Sequence, residues 1–304
     1  MQSQPAPSTS DRRGRTAPAE PGSGEDVDND PVAIELDVDA ALLLQDMVGI
    51  GGYPTVLTIL SNHYLLEDPD RVRAAVAERL TEVGVLVDGR VHPVVEHWLH
   101  CLDRPDVELC ALVVDPDPEP DGELRALLQM SLVRTGDTHV LALRCADEIV
   151  IQQVFESQDR LETITAALAA TLGPWPAVQF EPMRVTDQLL AEVPSDREER
   201  HRALVELGAV AHTASVLTRA FDRLVRKAEV VMIEHRDGGT MEPSVAMNVM
   251  DTESGRIVVT PSVALDGERW STYGPGDGTA LHAGLVALVE LLPGRSWFGT
   301  SRSD

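Results

Sequence analysis

The chain has 304 residues, 43% of them hydrophobic, and a formal net charge of -25 from 50 acidic and 25 basic side chains. Such a length carries one large domain or two joined halves around a substantial core. The charge argues against nucleic acid, whose phosphates this surface would repel, and favours solubility.

Three cysteines, Cys101, Cys110 and Cys145, form no CxxC pair, so they read as idle or buried thiols of a reducing compartment. No apolar run approaches the roughly 20 residues of a membrane span, and the N-terminus lacks a hydrophobic signal core. A cytoplasmic protein without membrane insertion is expected. Lys227 is the only lysine.

Met1 to Pro31 is Pro, Ser, Gly and acid with scarcely any large apolar side chain. It cannot offset its ordering entropy and is expected to be a disordered tail outside the fold. Residues 32–304 are expected to form a single domain. It opens with a short alternating strand, VAIELDV (Val32 to Val38), running into a helix, DAALLLQDMV, for which Asp37 or Asp39 is the candidate cap. GIGGYP stops that helix. Asp70 to Val83 has the period of a half-buried helix and Gly84 ends it. A VLVDGRV hairpin turning at Asp88-Gly89 leads to a helix from Pro93 to about Leu102.

From Val107 the period becomes two, through ELCALVVD, LRALLQMSLV, THVLALRC and EIVIQQVF, which predicts an antiparallel meander. A helix from Gln158 to Leu172 closes it. The order then recurs: strand VQFEPMRV, helix TDQLLAEV, helices from Ser195 to about Arg226, strands AEVVMIEH, SVAMNVMD, RIVVTPSV and ERWSTY, and a last helix from Asp277 to Leu292. The closing helices end alike, in TLGPW and ELLPGRSW. These periods predict an α+β protein in which two halves, about 32–175 and 176–298, repeat around a pseudo-twofold axis.

Chemistry-bearing clusters are few. His92, His97, His100 and Cys101 offer zinc ligands, but they sit around one predicted helix and no second cluster completes a site, so helix-surface histidines are the competing reading. The acidic run DPDPEPDG (Asp115, Asp117, Glu119, Asp121, Gly122) imitates a calcium loop, yet its prolines and glycine are misplaced for one. A stiff extended connection between strands is expected instead, rigid enough for recognition. GIGG and GPGDG lack any phosphate-cradle pattern, and neither a GxSxG elbow nor an ordered triad occurs. No residue demands catalysis and no cofactor is expected. Met232, Met241, Met247 and Met250 concentrate in the second meander, as core filling or as an adaptable binding surface.

Three stretches resemble one family. IELDVDAALLLQ with LTEVGVLVDGRVHPVVEHWL, SLVRTGDTHVLALRCADEIVIQQVF, and SGRIVVTPSVALDGERWSTYGPGDGTALHAGLVALVELLPGRSWF are similar, in order and coverage, to EspG proteins, chaperones of type VII (ESX) secretion. The long acidic tail departs from that pattern. The resemblance implies a central antiparallel sheet with N- and C-terminal helical bundles. It also implies a non-enzymatic cytosolic chaperone that covers the apolar tip of the PPE subunit in a PE-PPE heterodimer and hands it to the secretion machinery. Its binding elements would be the loop with Asp115, Asp117, Glu119 and Asp121, the C-terminal bundle with Arg219 and Arg223, and the sheet with Glu229, Glu234, Met247 and Asn248. Charge reversal at Glu229 or Glu234 is expected to weaken such a complex. Rival readings are a small-molecule protein or enzyme using a cleft between the halves, and a structural subunit of the secretion apparatus.

Overall fold

A computed structural model describes residues 30–60, 69–116, 125–155, 160–237, 239–240 and 245–302. Most of the expected tail, Asp117, Glu119 and Asp121 of the acidic run, and Met241 lie outside the described residues.

The N-terminal elements form where local signals put them. Strand β1 (Ala33–Leu36) gives way to helix α1 (Val38–Val48), because the Asp37 carboxylate accepts from the Ala40 N–H and Gly49 takes the left-handed conformation that ends the helix. A 3-10 turn at Thr55–Leu57 and helix α2 (Pro69–Glu82) follow. The hairpin of β2 (Leu86–Val87) and β3 (Arg90–Val91) turns at Asp88 and Gly89, both at positive φ, as a two-residue turn requires. Helix α3 (Pro93–Asp103) places Pro93 in its first turn.

The first meander is β4 (Val107–Asp115), β5 (Arg125–Thr135), β6 (Thr138–Cys145) and β7 (Glu148–Val154), closed by α4 (Leu161–Leu172). The second half runs β8 (Met183–Thr186), α5 (Asp187–Ala191), α6 (Arg197–Glu206), α7 (Ala211–Asp222), β9 (Arg226–Arg236), β10 (Gly239–Thr240), β11 (Met247–Thr252), β12 (Gly255–Val263), β13 (Arg269–Pro275) and α8 (Gly278–Leu291). The predicted strand VQFEPMRV shrinks to its last residues. Pro182 has no N–H for a ladder, and Val178 and Phe180 are buried as core side chains instead.

Apart from the separate β2–β3 hairpin, the strands join into one antiparallel sheet in the order β1-β7-β6-β5-β4-β9-β11-β12-β13-β8, with β10 paired to β9. Its centre is the β4–β9 ladder, which runs from Val107 opposite Glu234 to Val114 opposite Lys227. The boundary between the two halves is therefore a continuous hydrogen-bonded ladder.

Period-two alternation sorts the side chains into three cores. On one face Leu109, Ala111, Met130, Leu132, Val230, Met232 and Met247 pack under α4 and α8, which meet where the Thr165 hydroxyl bonds the His282 ring. On the opposite face Val133, Val140, Ala142, Ile149 and Ile151 pack against α1 to α3. On that same face, Met250, Ile257, Val259 and Tyr273 pack against α6 and α7.

The segments that trail α4 and α8 are tied down in parallel ways. After α4, the Arg226 and Arg256 guanidiniums both donate to the Leu172 carbonyl and to Asp251, and the Trp175 indole donates to the Thr252 carbonyl. After α8, Arg134 donates to the Trp297 and Thr300 carbonyls, and the Trp297 indole donates to His139.

Candidate functional site

The two helical bundles share a face, so the strands between them form a strip with a bundle at each side. Register defines it: Arg144, Gln129, Leu112, Glu229, Asn248, Val259, Tyr273 and Met183 are successive cross-strand partners. Directly paired residues point to the same side of a sheet. The outer members of this row are engaged on each side. Arg144 donates to the Leu57 and Thr58 carbonyls at 2.7 Å, while Val259 and Tyr273 lie in the core under α6 and α7. Gln129, Leu112, Glu229 and Asn248 lie between, with Leu112 and Glu229 exposed and Val231 and Ile233 half-buried beside them. An apolar step next to an exposed carboxylate suits docking of a protein surface.

The alternation divides the residues singled out from sequence. Glu229 and Asn248 face the strip and line a trough of about 450 Å³ with Lys227, Pro261, Arg269 and Ser271. Glu234 and Met247 point the other way, a correction to their expected place at the surface. Glu234 is 4% exposed; it accepts from the Gly294 N–H at 2.6 Å and from Arg236. Met247 is fully buried against Gly284 of α8, where a Cβ would collide with its sulfur. Met232 and Met250 are core residues too. At one end of the strip Asp115 and Arg223 line a cavity of about 690 Å³ with Phe221, Leu224 and Val225. Arg223 pairs there with Glu253 at 3.1 Å. Arg219 is exposed on α7.

At the other end of the strip lies a polar cluster that sequence reading missed. The Glu108 carboxylate accepts from the Ser131 hydroxyl at 2.7 Å and the Cys110 thiol at 3.0 Å, and meets the His235 Nε2 at 3.1 Å. Burial pushes the Glu108 pKa up, but the hydrogen bonds from His235, Cys110 and Ser131 outweigh it and hold the group below its ordinary value. Burial and the Glu108 charge push the Cys110 thiol well up. A protonated thiol bonded to a carboxylate is a weak nucleophile, so the cluster anchors β4, β5 and β9 rather than assembling an attacking group. The only sequence signal was a charged residue at an inward position of VELCALVV.

The His/Cys helix is accounted for by local contacts. The His92 ring accepts from the Val94 N–H at the start of α3, and His97 lies 3.1 Å from the Thr138 hydroxyl and 3.8 Å from the Cys101 sulfur. Among the described residues no group of three or more His, Cys, Asp or Glu side chains is arranged to hold a metal ion. No described helix is long and apolar enough to cross a membrane.

A single antiparallel sheet with bundles flanking an open central strip, and helices α4 and α8 behind it, defines a sheet-and-bundle α+β protein. Known proteins of this kind are similar over nearly the whole chain. The sequence profile of the EspG family matches residues 37–287, and the chain belongs to that family. It is 30% identical to the ESX-3 secretion-associated protein EspG3 of Mycolicibacterium smegmatis, over 88% of this chain and 90% of that one. It is 28% identical to the ESX-1 secretion-associated protein EspG1 of Mycobacterium tuberculosis, over 93% and 95%. Among solved structures, the fold matches the Mycobacterium tuberculosis type VII secretion system chaperone EspG5, solved in complex with a PE25-PPE41 dimer. The TM-score is 0.73 at 19% identity, covering 88% of this chain and all of that one.

Proposed function

We propose that this chain is a non-enzymatic cytosolic chaperone of type VII secretion, which binds a PE-PPE heterodimer at the apolar tip of its PPE subunit and delivers it to the secretion machinery. The observation that carries this reading is membership of a family with a member of the same fold solved while holding a PE-PPE dimer. No cofactor has a part in it.

The physical support is the open strip. Leu112, Val231 and Ile233 offer apolar area to an apolar tip, at roughly 25 cal/mol per Å² removed from water. Glu229 and Asn248 beside them select which tip is accepted. Asp115, Arg219 and Arg223 belong to the rim of the same surface. The pseudo-twofold repeat belongs to this proposal as well. It is supported by a strand order that runs edge, three-strand meander, central strand on each side of the β4–β9 junction, and by the matching anchors of Trp175 and Trp297. The cleft reading has no comparable support, because the halves are stitched by a ladder.

Titration calorimetry with the cognate heterodimer tests the surface. Leu112→Arg and Glu229→Arg, each made alone, are expected to weaken binding by roughly tenfold to a hundredfold while the melting temperature stays near that of the unaltered chain. Unchanged affinity in both would remove the strip from the interface. Reversal at Glu234 belongs to another class: it would unseat Gly294 and lower stability.

A further inference from the structure

The groove between α6 and α7 carries basic groups that the fold uses only in part. The helices are registered by Arg200, which donates to the Thr218 carbonyl at 3.3 Å and pairs with Asp222, and by His201, whose ring lies 3.2 Å from the Ser215 hydroxyl. Helical spacing then puts Arg197 and His201 on one lip and Ser215 and Arg219 on the other, each pair four residues apart.

The Arg219 side chain is exposed and makes no hydrogen bond or ion pair among the described residues. Arg197 reaches Asp222 at 3.5 Å, and Arg200 lies closer to that same carboxylate. In a chain with twice as many acids as bases, these two guanidiniums keep most of their donors unspent. They also share a site. One cavity of about 500 Å³ is lined by Arg197, Glu198, His201, Ser215, Thr218 and Arg219. A second, of about 300 Å³, has Arg197 and Arg219 in common with it and extends to Arg223. On the wall of the larger one Thr218 is 3% exposed and its hydroxyl has no partner.

We infer that the α6–α7 groove extends the client-binding surface and receives acidic side chains of the client protein between Arg197 and Arg219. The inference rests on the chaperone reading above and adds to it the chemistry of the contact. A guanidinium fork matches a carboxylate in two parallel hydrogen bonds, whereas an apolar client surface would strip water from both arginines without replacing it. Glu198, Asp222 and Glu253 in the linings disfavour densely charged polyanions, so isolated Asp or Glu side chains on a helix or loop are the fitting occupants. This contact steers the client and sets its orientation, while the central strip covers its apolar tip.

The test uses the full-length chain with both arginines reversed, Arg197→Glu with Arg219→Glu, against the PE-PPE heterodimer with which the unaltered chain co-elutes. Affinity is expected to fall roughly tenfold at low salt, with melting unchanged, and Arg219→Lys is expected to keep much of the binding. The unaltered chain should lose affinity toward about 0.3 M salt while the double variant changes little. A capped glutamate-containing helical peptide supplies a readout independent of any client: it should shift the His201 ring resonances of the unaltered chain and leave those of the double variant in place. If the heterodimer binds both chains equally, or the peptide moves neither, the groove does not read acids and this inference fails alone. Failure of the unaltered chain to bind any heterodimer, with the peptide response intact, overturns the assignment of the client as occupant and the chaperone reading with it.

Discussion

Replacing Arg134 by alanine is expected to lower stability by about 3–5 kcal/mol, the range for removing one partner from a buried charged network. The side chain is 4% exposed and is held by the Gly136, Trp297 and Thr300 carbonyls, with Asp106 at 3.5 Å. Without it the Trp297 and Thr300 carbonyls lose a charged donor in a buried site. Asp106 keeps the Gly136 and Arg302 N–H groups at 2.9 and 2.8 Å, so its own penalty is partial. The segment after α8 would loosen first, and Trp297 with it. Chemical denaturation should show a lower midpoint with a similar slope. A loss below about 1 kcal/mol would mean that Trp297 packing, not Arg134, fixes this segment.

The counterpart in the other half is Gly255→Ala, for which a loss of several kcal/mol is expected from steric strain rather than lost charge. Gly255 sits at φ +135°, where a residue with a Cβ is rarely found, and an added Cβ would meet the Val178 nitrogen at 2.6 Å and the Pro176 carbonyl oxygen at 2.7 Å. Both are backbone atoms, and neither can swing aside. The chain passes this close because the Arg256 N–H donates to the Pro176 carbonyl and the Val178 N–H to the Arg256 carbonyl, holding the α4 trailer against the start of β12. Urea melts of the alanine variant read the effect directly. A variant as stable as the parent would show that this crossing has slack.

The two substitutions illustrate what a sequence can disclose. Caps and turns were legible because they are local: Asp37, Asp88-Gly89, Pro93 and Asp277 each signal through neighbours within a few residues, and each sits at the expected boundary. The meanders were legible through their period of two. The phase of that period was not, since alternation says that neighbouring residues face opposite ways without saying which way is open. Glu234 and Met247 were therefore grouped with Glu229 and Asn248, although an odd separation, five residues from Glu229 to Glu234 and one from Met247 to Asn248, carries each pair to opposite faces. Leu112 and Arg197 were missed for the converse reason. An exposed leucine in a strand and an arginine in a helix are ordinary in sequence, and only the cross-strand row and the unspent guanidinium set them apart. Gly255 carried no mark in sequence, because its constraint comes from residues 77 positions away in the chain at Val178.

The claim on which the rest depends is that this chain holds a PE-PPE heterodimer in solution. Co-expression with the PE-PPE pairs of its own genome, followed by size-exclusion chromatography at moderate salt, tests it most directly. The account predicts one soluble complex containing this chain, the PE and the PPE in equal amounts, for at least one pair. Elution of this chain alone in every case would contradict it.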